Sequence, residues 1–125
     1  MNYFDHEKLD VYKAAVAFVV LIDEVIENFP RGRAYLADQL QRAGTSVPLN
    51  IAEGAGEYSV NEKSRFYRMA KRSASECAAI FDICRRLYLV EESQNVKGRE
   101  LLLRIMAMLT KMSSKVVVTE TVTAY

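Results

Sequence analysis

The chain has 125 residues, half of them hydrophobic and about a quarter charged, with a net charge of +1. That length suits one domain with a single core, and the near-neutral balance argues neither for nor against nucleic acid. The longest apolar run, residues 14–22, is nine residues, against the roughly 18 needed to span a bilayer, so a membrane partner is excluded.

Five glycines and two prolines suit long helices more than a many-turned β fold. No basic segment followed by an apolar run and a cleavage site is present, so no secretory signal is expected. Cys77 and Cys84 stand seven residues apart in a helical pattern, roughly 10.5 Å, too far for a mutual disulfide. They read as reduced core thiols in a cytoplasmic protein.

The first helix is expected over residues 8–28, stopped by Phe29-Pro30. It carries two apolar seams on nearly opposite sides. Leu9, Tyr12, Val16, Val19 and Ile26 form one, interrupted by Asp23; Val11, Ala14, Phe18, Leu21 and Val25 form the other. A helix apolar on two faces is buried on two faces, so one seam is expected to meet the bundle core and the other a second subunit. Which seam does which stays open.

The second helix is expected over residues 33–53, with Pro48 inside it. Proline removes one backbone bond and crowds the carbonyl four residues back, here that of Gly44, the least crowded residue type. Thr45 and Ser46 are placed to bond freed backbone groups. A kinked but continuous helix is expected, ending at the glycines 54 and 56; the alternative is two short helices broken at Pro48. Two patterns share this helix. Leu36, Leu40, Ala43, Val47 and Ile51 mark an apolar stripe, and Gln39, Arg42, Ser46, Asn50 and Glu53 fall in one narrow sector beside it.

Ser59 or Asn61 caps the third helix, with Glu62 three residues after Ser59. The helix is expected to reach residue 88 or 89, with a core stripe of Phe66, Met69, Ser73, Cys77, Ile80, Phe81, Cys84 and Leu87. Arg65, Arg68, Arg72 and Arg86 cluster on its far side. Residues 91–98 read as a polar connection, and residues 99–115 as a fourth helix with Leu102, Ile105, Met106, Leu109 and Met112 on its apolar face. Residues 116–125, rich in β-branched side chains, read as a frayed tail or a strand added to a partner. The expected fold is all-α: an up-down-up-down antiparallel four-helix bundle over residues 4–115, its second helix kinked at Pro48.

Leu9-Asp-Val-Tyr12, Phe29-Pro30, Gln39 to Arg42, Ser46-Val-Pro-Leu-Asn-Ile-Ala-Glu-Gly54 and Ala70 to Glu76 occur in this order. In these segments the chain resembles the four-helix-bundle proteins first found as open reading frames in intervening sequences of bacterial 23S rRNA genes. The resemblance implies a small bundle that assembles as a ring, commonly a homopentamer. A related branch, the accessory variability determinant of diversity-generating retroelements, partners a reverse transcriptase and binds nucleic acid through basic surface. Arg72 departs from the pattern, which usually carries a small residue before Ser73.

Two constellations remain to be weighed. The polar sector of the second helix is either a binding site or an internal network. As a network, Arg42 pairs with Glu53 or Glu76, while Asn50 and Gln39 satisfy backbone groups near Pro48, and such a network fixes register and assembly. The structural reading is preferred. The basic face of Arg65, Arg68, Arg72 and Arg86 is the expected nucleic-acid surface. Residues 58–90 hold seven basic and three acidic side chains, whereas residues 1–30 hold two basic and six acidic. Only Glu76 and Asp82 stand near enough to offset that face, which otherwise reads as a solvated surface. Phosphate contacts there are sequence-tolerant and salt-sensitive. Tyr58, Tyr67 and Tyr88 offer rings for base stacking or for packing.

Enzyme chemistry finds no support, since His6 has no defined partner and neither Glu-x-x-His nor Cys-x-x-Cys occurs. No catalytic residue, metal or cofactor is expected. The sequence thus points to a non-enzymatic homo-oligomer that binds RNA or DNA or accompanies a reverse transcriptase. The alternative is a purely structural or protein-interaction ring.

Overall fold

A computed structural model of the chain describes residues 2–114. The tail expected over residues 116–125 lies outside the described residues. Four helices follow in order: α1 (Asp10–Ile26), α2 (Ala34–Ala55), α3 (Val60–Arg86) and α4 (Glu92–Met112), with short 3₁₀ turns at Asp5–Lys8 and Arg31–Arg33. Each helix packs on its neighbours in the chain, and α4 closes back onto α1. Short connections between neighbours make this the up-down-up-down four-helix bundle. Phe18 of α1 and Phe81 of α3 meet across the diagonal, ring centroids 5.8 Å apart, inside a continuous apolar core.

Of the two α1 seams, Val11, Ala14, Phe18, Leu21 and Val25 are buried in that core. The other is largely covered by the chain itself. Leu9, Tyr12 and Ile26 pack half-buried against the core, and the His6 ring stands edge-on to Tyr12 at 4.6 Å. Only Val16 of the five, with Val20 beside it, stays exposed. Two-sided apolarity in α1 therefore has mostly an intramolecular cause. A short N-terminal segment supplies the second cover.

Helix α2 runs unbroken through Pro48, so the two-helix alternative is set aside. In α3 the expected core stripe is corrected in its first half and at its last position. Phe66 and Ser73 are half-buried, Met69 and Leu87 are exposed, and the inner positions are Ser64, Tyr67, Ala70 and Ala74. The physical reason is close approach. A Cβ on Gly54 would fall 2.6 Å from the Tyr67 ring, so α2 and α3 pack through small residues, and large apolar side chains turn outward.

The polar connection expected over residues 91–98 is also corrected, because α4 begins at Glu92. The Gln94 side chain accepts from the Glu91 backbone N–H at 3.1 Å and starts the helix. Gly98, expected at the end of that connection, lies inside α4 as a packing position: a Cβ there would lie 2.6 Å from the Phe81 ring. The α3–α4 turn is closed by Tyr88 in the left-handed conformation at φ 62°, with Leu89 N–H bonding the Cys84 carbonyl at 2.9 Å and Tyr88 N–H that of Arg85 at 3.0 Å. That is a Schellman cap with tyrosine where glycine is usual.

Candidate nucleic-acid interface

The four arginines of the expected basic face share α3 but differ in their bonding. Ser59 caps the helix by accepting from the Glu62 N–H at 3.3 Å, which sets Glu62 in the first turn. From there Glu62 receives Arg65 through Nη2 at 3.0 Å and Nε at 3.2 Å. This bond, then the charge of Glu62, raises the Arg65 pKa. The guanidinium also covers the Phe66 ring at 4.6 Å, so Arg65 leans toward the α2 side. Glu62 was not among the acidic residues expected to offset this face.

Arg68 turns the other way. Its Nη1 donates to Ser64 Oγ at 2.6 Å, and Ser64 Oγ donates to the Ser113 carbonyl just beyond α4 at 2.7 Å. Arg72 makes no ion pair or side-chain hydrogen bond among the described residues. Arg86 lies 14 residues further on, roughly 21 Å along the axis, and its Nε meets Asp82 Oδ2 at 3.2 Å. Arg85 holds the other oxygen at 3.2 Å. The Arg85 bond, followed by the charge and bond of Arg86, keeps the Asp82 carboxyl below the usual range. The expected single face is thus a basic first half, residues 63–72, and a separate Asp82-centred cluster.

The polar sector of α2 is half a network. Asn50 Nδ2 donates to the Ser46 carbonyl at 2.9 Å and to Ser46 Oγ at 3.0 Å, and Ser46 Oγ meets Ser73 Oγ at 2.8 Å. These three side chains tie α2 to α3 at mid-length. The expected ion pairing is corrected: Arg42 pairs with neither Glu53 nor Glu76, and these three, with Gln39, stand in solvent. Their sector opens outward because Tyr67, Ala70 and Ala74 take the inner positions on α3. Near Pro48, Asn50 bonds a backbone group as expected, the Ser46 carbonyl, whereas Gln39 stands in solvent and Thr45 Oγ1 serves the carbonyls of Gln41 and Arg42 rather than that of Gly44.

Two features were not anticipated. Lys63 Nζ donates to the carbonyls of Gly54 and Ala55 at 3.2 and 3.1 Å, closing the C-terminal end of α2 with a cation. A groove of about 380 Å³ runs between α3 and α4, with Ser75, Phe81, Asp82, Asn95, Arg99 and Met106 among its lining residues. Its sequence signal is the helical spacing Asn95, Gly98, Leu102, Met106, which runs through the segment read as a connection. Tyr67 is buried against Gly54, with its phenol pushed up to about 12 by burial, whereas Tyr58 and Tyr88 are exposed at the two turns that flank α3. Among the described residues, no group of three His, Cys, Asp or Glu is placed to hold a metal, and no helix is long and apolar enough to cross a membrane.

Against known proteins, residues 7–111 match the family model described as 23S rRNA-intervening sequence protein. No curated protein matches the chain.

Proposed function

Because the chain belongs to the 23S rRNA-intervening sequence protein family, we propose that it is a non-enzymatic, self-associating bundle whose third helix docks on nucleic-acid phosphates. One observation carries the reading. Lys63, Arg65, Arg68, Lys71 and Arg72 fall within ten residues of α3, and no acidic residue intervenes before Glu76. Lys63 is bonded to the end of α2 and Arg65 to Glu62, whereas Arg68 bonds only the uncharged Ser64 Oγ, so Arg68, Lys71 and Arg72 keep charges without an ion pair and are the phosphate contacts.

Self-association is supported by the outer side of the α2–α3 pair. Tyr35, Leu49, Met69 and Ile83 are exposed large apolar side chains there, interspersed with the unpaired charges Arg42, Glu53 and Glu76. A face with both signs of charge and an apolar centre suits a second copy of itself better than the α1 seam, which the chain already covers. A ring, in the proposed form a homopentamer, repeats the basic stretch and sums its potential.

The test is a titration of labelled RNA and DNA at two salt concentrations. Binding is expected to be sequence-tolerant, to weaken with salt, and to be lost in Arg68→Glu/Arg72→Glu. Absence of binding at low salt overturns the reading. Solution mass tests assembly, and Leu49→Glu/Ile83→Glu is expected to give monomers. A second reading, a protein-interaction ring without nucleic acid, is favoured by Glu62 and Asp82 already holding Arg65, Arg85 and Arg86. It predicts the oligomer without the binding. Genomic context separates further roles: a neighbouring reverse transcriptase indicates a retroelement, and a position inside an rRNA gene indicates the intervening-sequence type.

A further inference from the structure

We propose that the α3–α4 groove is a pocket for one unpaired nucleotide of a single strand, with the Asn95 amide reading the base edge. This rests on the nucleic-acid reading above and narrows it to unpaired strands. Three observations converge on the groove.

The first is its shape. At about 380 Å³ it falls at the lower end of small-ligand pockets, too small to admit a duplex. Its walls are apolar, from Phe81, Leu102, Leu103 and Met106. Phe81 lies low in the groove because Gly98 lets its ring rest on the α4 backbone.

The second is Asn95. It is only 8% exposed, and its side-chain amide makes no hydrogen bond among the described residues. No side-chain nitrogen or oxygen sealed from solvent lacks a partner among the described residues, so this amide keeps an opening to solvent. Asn95 is one of the residues that line the groove. A nearly buried amide with no internal role presents a donor and an acceptor side by side to whatever enters.

The third is charge. Arg99 lines the same groove one turn beyond Asn95 and makes no ion pair among the described residues. The carboxylate on the facing bank, Asp82, is held by Arg85 and Arg86. On α3 the positions Arg68, Lys71, Ser75, Ala78 and Asp82 follow one another at spacings of three and four, a single row on the helix. The groove lined by Ser75, Ala78 and Asp82 therefore continues toward two cations. A ligand with a flat apolar body, a donor–acceptor edge and an anionic group fits these features together, and a nucleotide has all three. An asparagine amide pairs bidentately with the N6/N7 edge of adenine, so adenine is the expected preference. Only an unstacked base of a single strand enters such a slot.

The experiment measures binding of labelled single-stranded oligoadenylate, of the same sequence as a duplex, and of adenosine monophosphate as competitor. It uses the wild-type chain, Asn95→Leu and Ala78→Phe, the last placing a ring in the groove from an exposed position. The single strand is expected to bind more tightly than the duplex, and each variant to weaken it about tenfold or more. Competition by the monophosphate identifies a free nucleotide as sufficient, and its failure while the variants still weaken strand binding identifies the strand as the ligand; both outcomes support the pocket. Asn95→Leu is also expected to raise the melting temperature, because it removes an amide that nothing in the fold satisfies. A lowered melting temperature, or strand binding unchanged in both variants, overturns the pocket. Binding lost in Arg68→Glu/Arg72→Glu yet normal in the groove variants overturns the pocket alone and leaves the phosphate reading standing. No binding of strand or duplex at low salt overturns both.

Discussion

Replacing Tyr88 with glycine is expected to stabilise the protein by about 0.5–1 kcal/mol. Tyr88 is held at φ 62° to let Leu89 reach back to Cys84, and its side chain is 94% exposed. A left-handed conformation costs an ordinary L-residue about 1–2 kcal/mol, which glycine does not incur. Against that, glycine's greater freedom in the unfolded chain costs roughly 0.5–1 kcal/mol. The exposed ring takes almost no packing with it, so the difference is a net gain, or about 2–4 °C in Tm for a chain of this size. The assay is urea unfolding followed by circular dichroism, at one fixed protein concentration because self-association shifts apparent stability. Tyr88→Ala is the control. It keeps the Cβ, so its stability is expected to stay within about 0.5 kcal/mol of wild type. A neutral or destabilised Tyr88→Gly refutes the reasoning and means that the ring contributes a contact outside the single chain.

Gly98→Ala gains about 1 kcal/mol in helix propensity but puts a methyl 2.6 Å from Phe81, a ring that already bears on Phe18. Overpacking costs about 1–3 kcal/mol, so a net loss of about 1 kcal/mol is expected in the same unfolding assay. Burial pushes the Cys77 and Cys84 thiols up from 9.0 to about 12 and about 11, with Glu76 adding to the first. Above pH 9 the unfolded chain releases protons that the folded chain keeps, so stability is expected to fall from about pH 9 toward pH 12, by up to about 1.4 kcal/mol per pH unit for each thiol. Unfolding midpoints against pH check this, and Cys77→Ala/Cys84→Ala is expected to flatten the early part of the fall. Glu62→Gln and Asp82→Asn release Arg65 and the Arg85–Arg86 pair, so both are expected to tighten RNA binding at low salt and steepen its salt dependence. Unchanged titrations would argue for the protein-interaction ring.

Period and punctuation carried most of the fold. The stripe Val11, Ala14, Phe18, Leu21, Val25 and its α2 counterpart from Leu36 to Ile51 lie where helical spacing put them, because hydrophobicity and period agree there. Where small residues pack inside, hydrophobicity misleads. Ala70 and Ala74 are fully buried while Met69 is exposed, since two backbones approaching closely have room for methyls and none for longer chains. Gly98 misled for the same reason. Expected at the end of a connection, it is a contact inside α4, and the helix begins six residues before it. At the candidate site, α3 with its run of cations was legible from order along the chain alone.

The sequence by itself determined the number of helices, their order, and the N-terminal cap and charge of α3, because these depend on residues within a few positions of one another. Only the tertiary structure decided what each charged or polar side chain meets. Arg65 and Arg68 are three residues apart and lean to opposite sides, one held by Glu62 and Phe66, the other by Ser64, which itself bonds the Ser113 carbonyl just beyond α4. Asn50 joins Ser73 through Ser46, while Arg42, Glu53 and Glu76 are left to solvent. Asn95 looks like one more polar residue in a connection until α3 packs beside it and leaves it 8% exposed, in the wall of the groove. Side-chain partners depend on how far apart two helices pack and how each is rotated. That is set by the whole core at once rather than by any one stretch of chain.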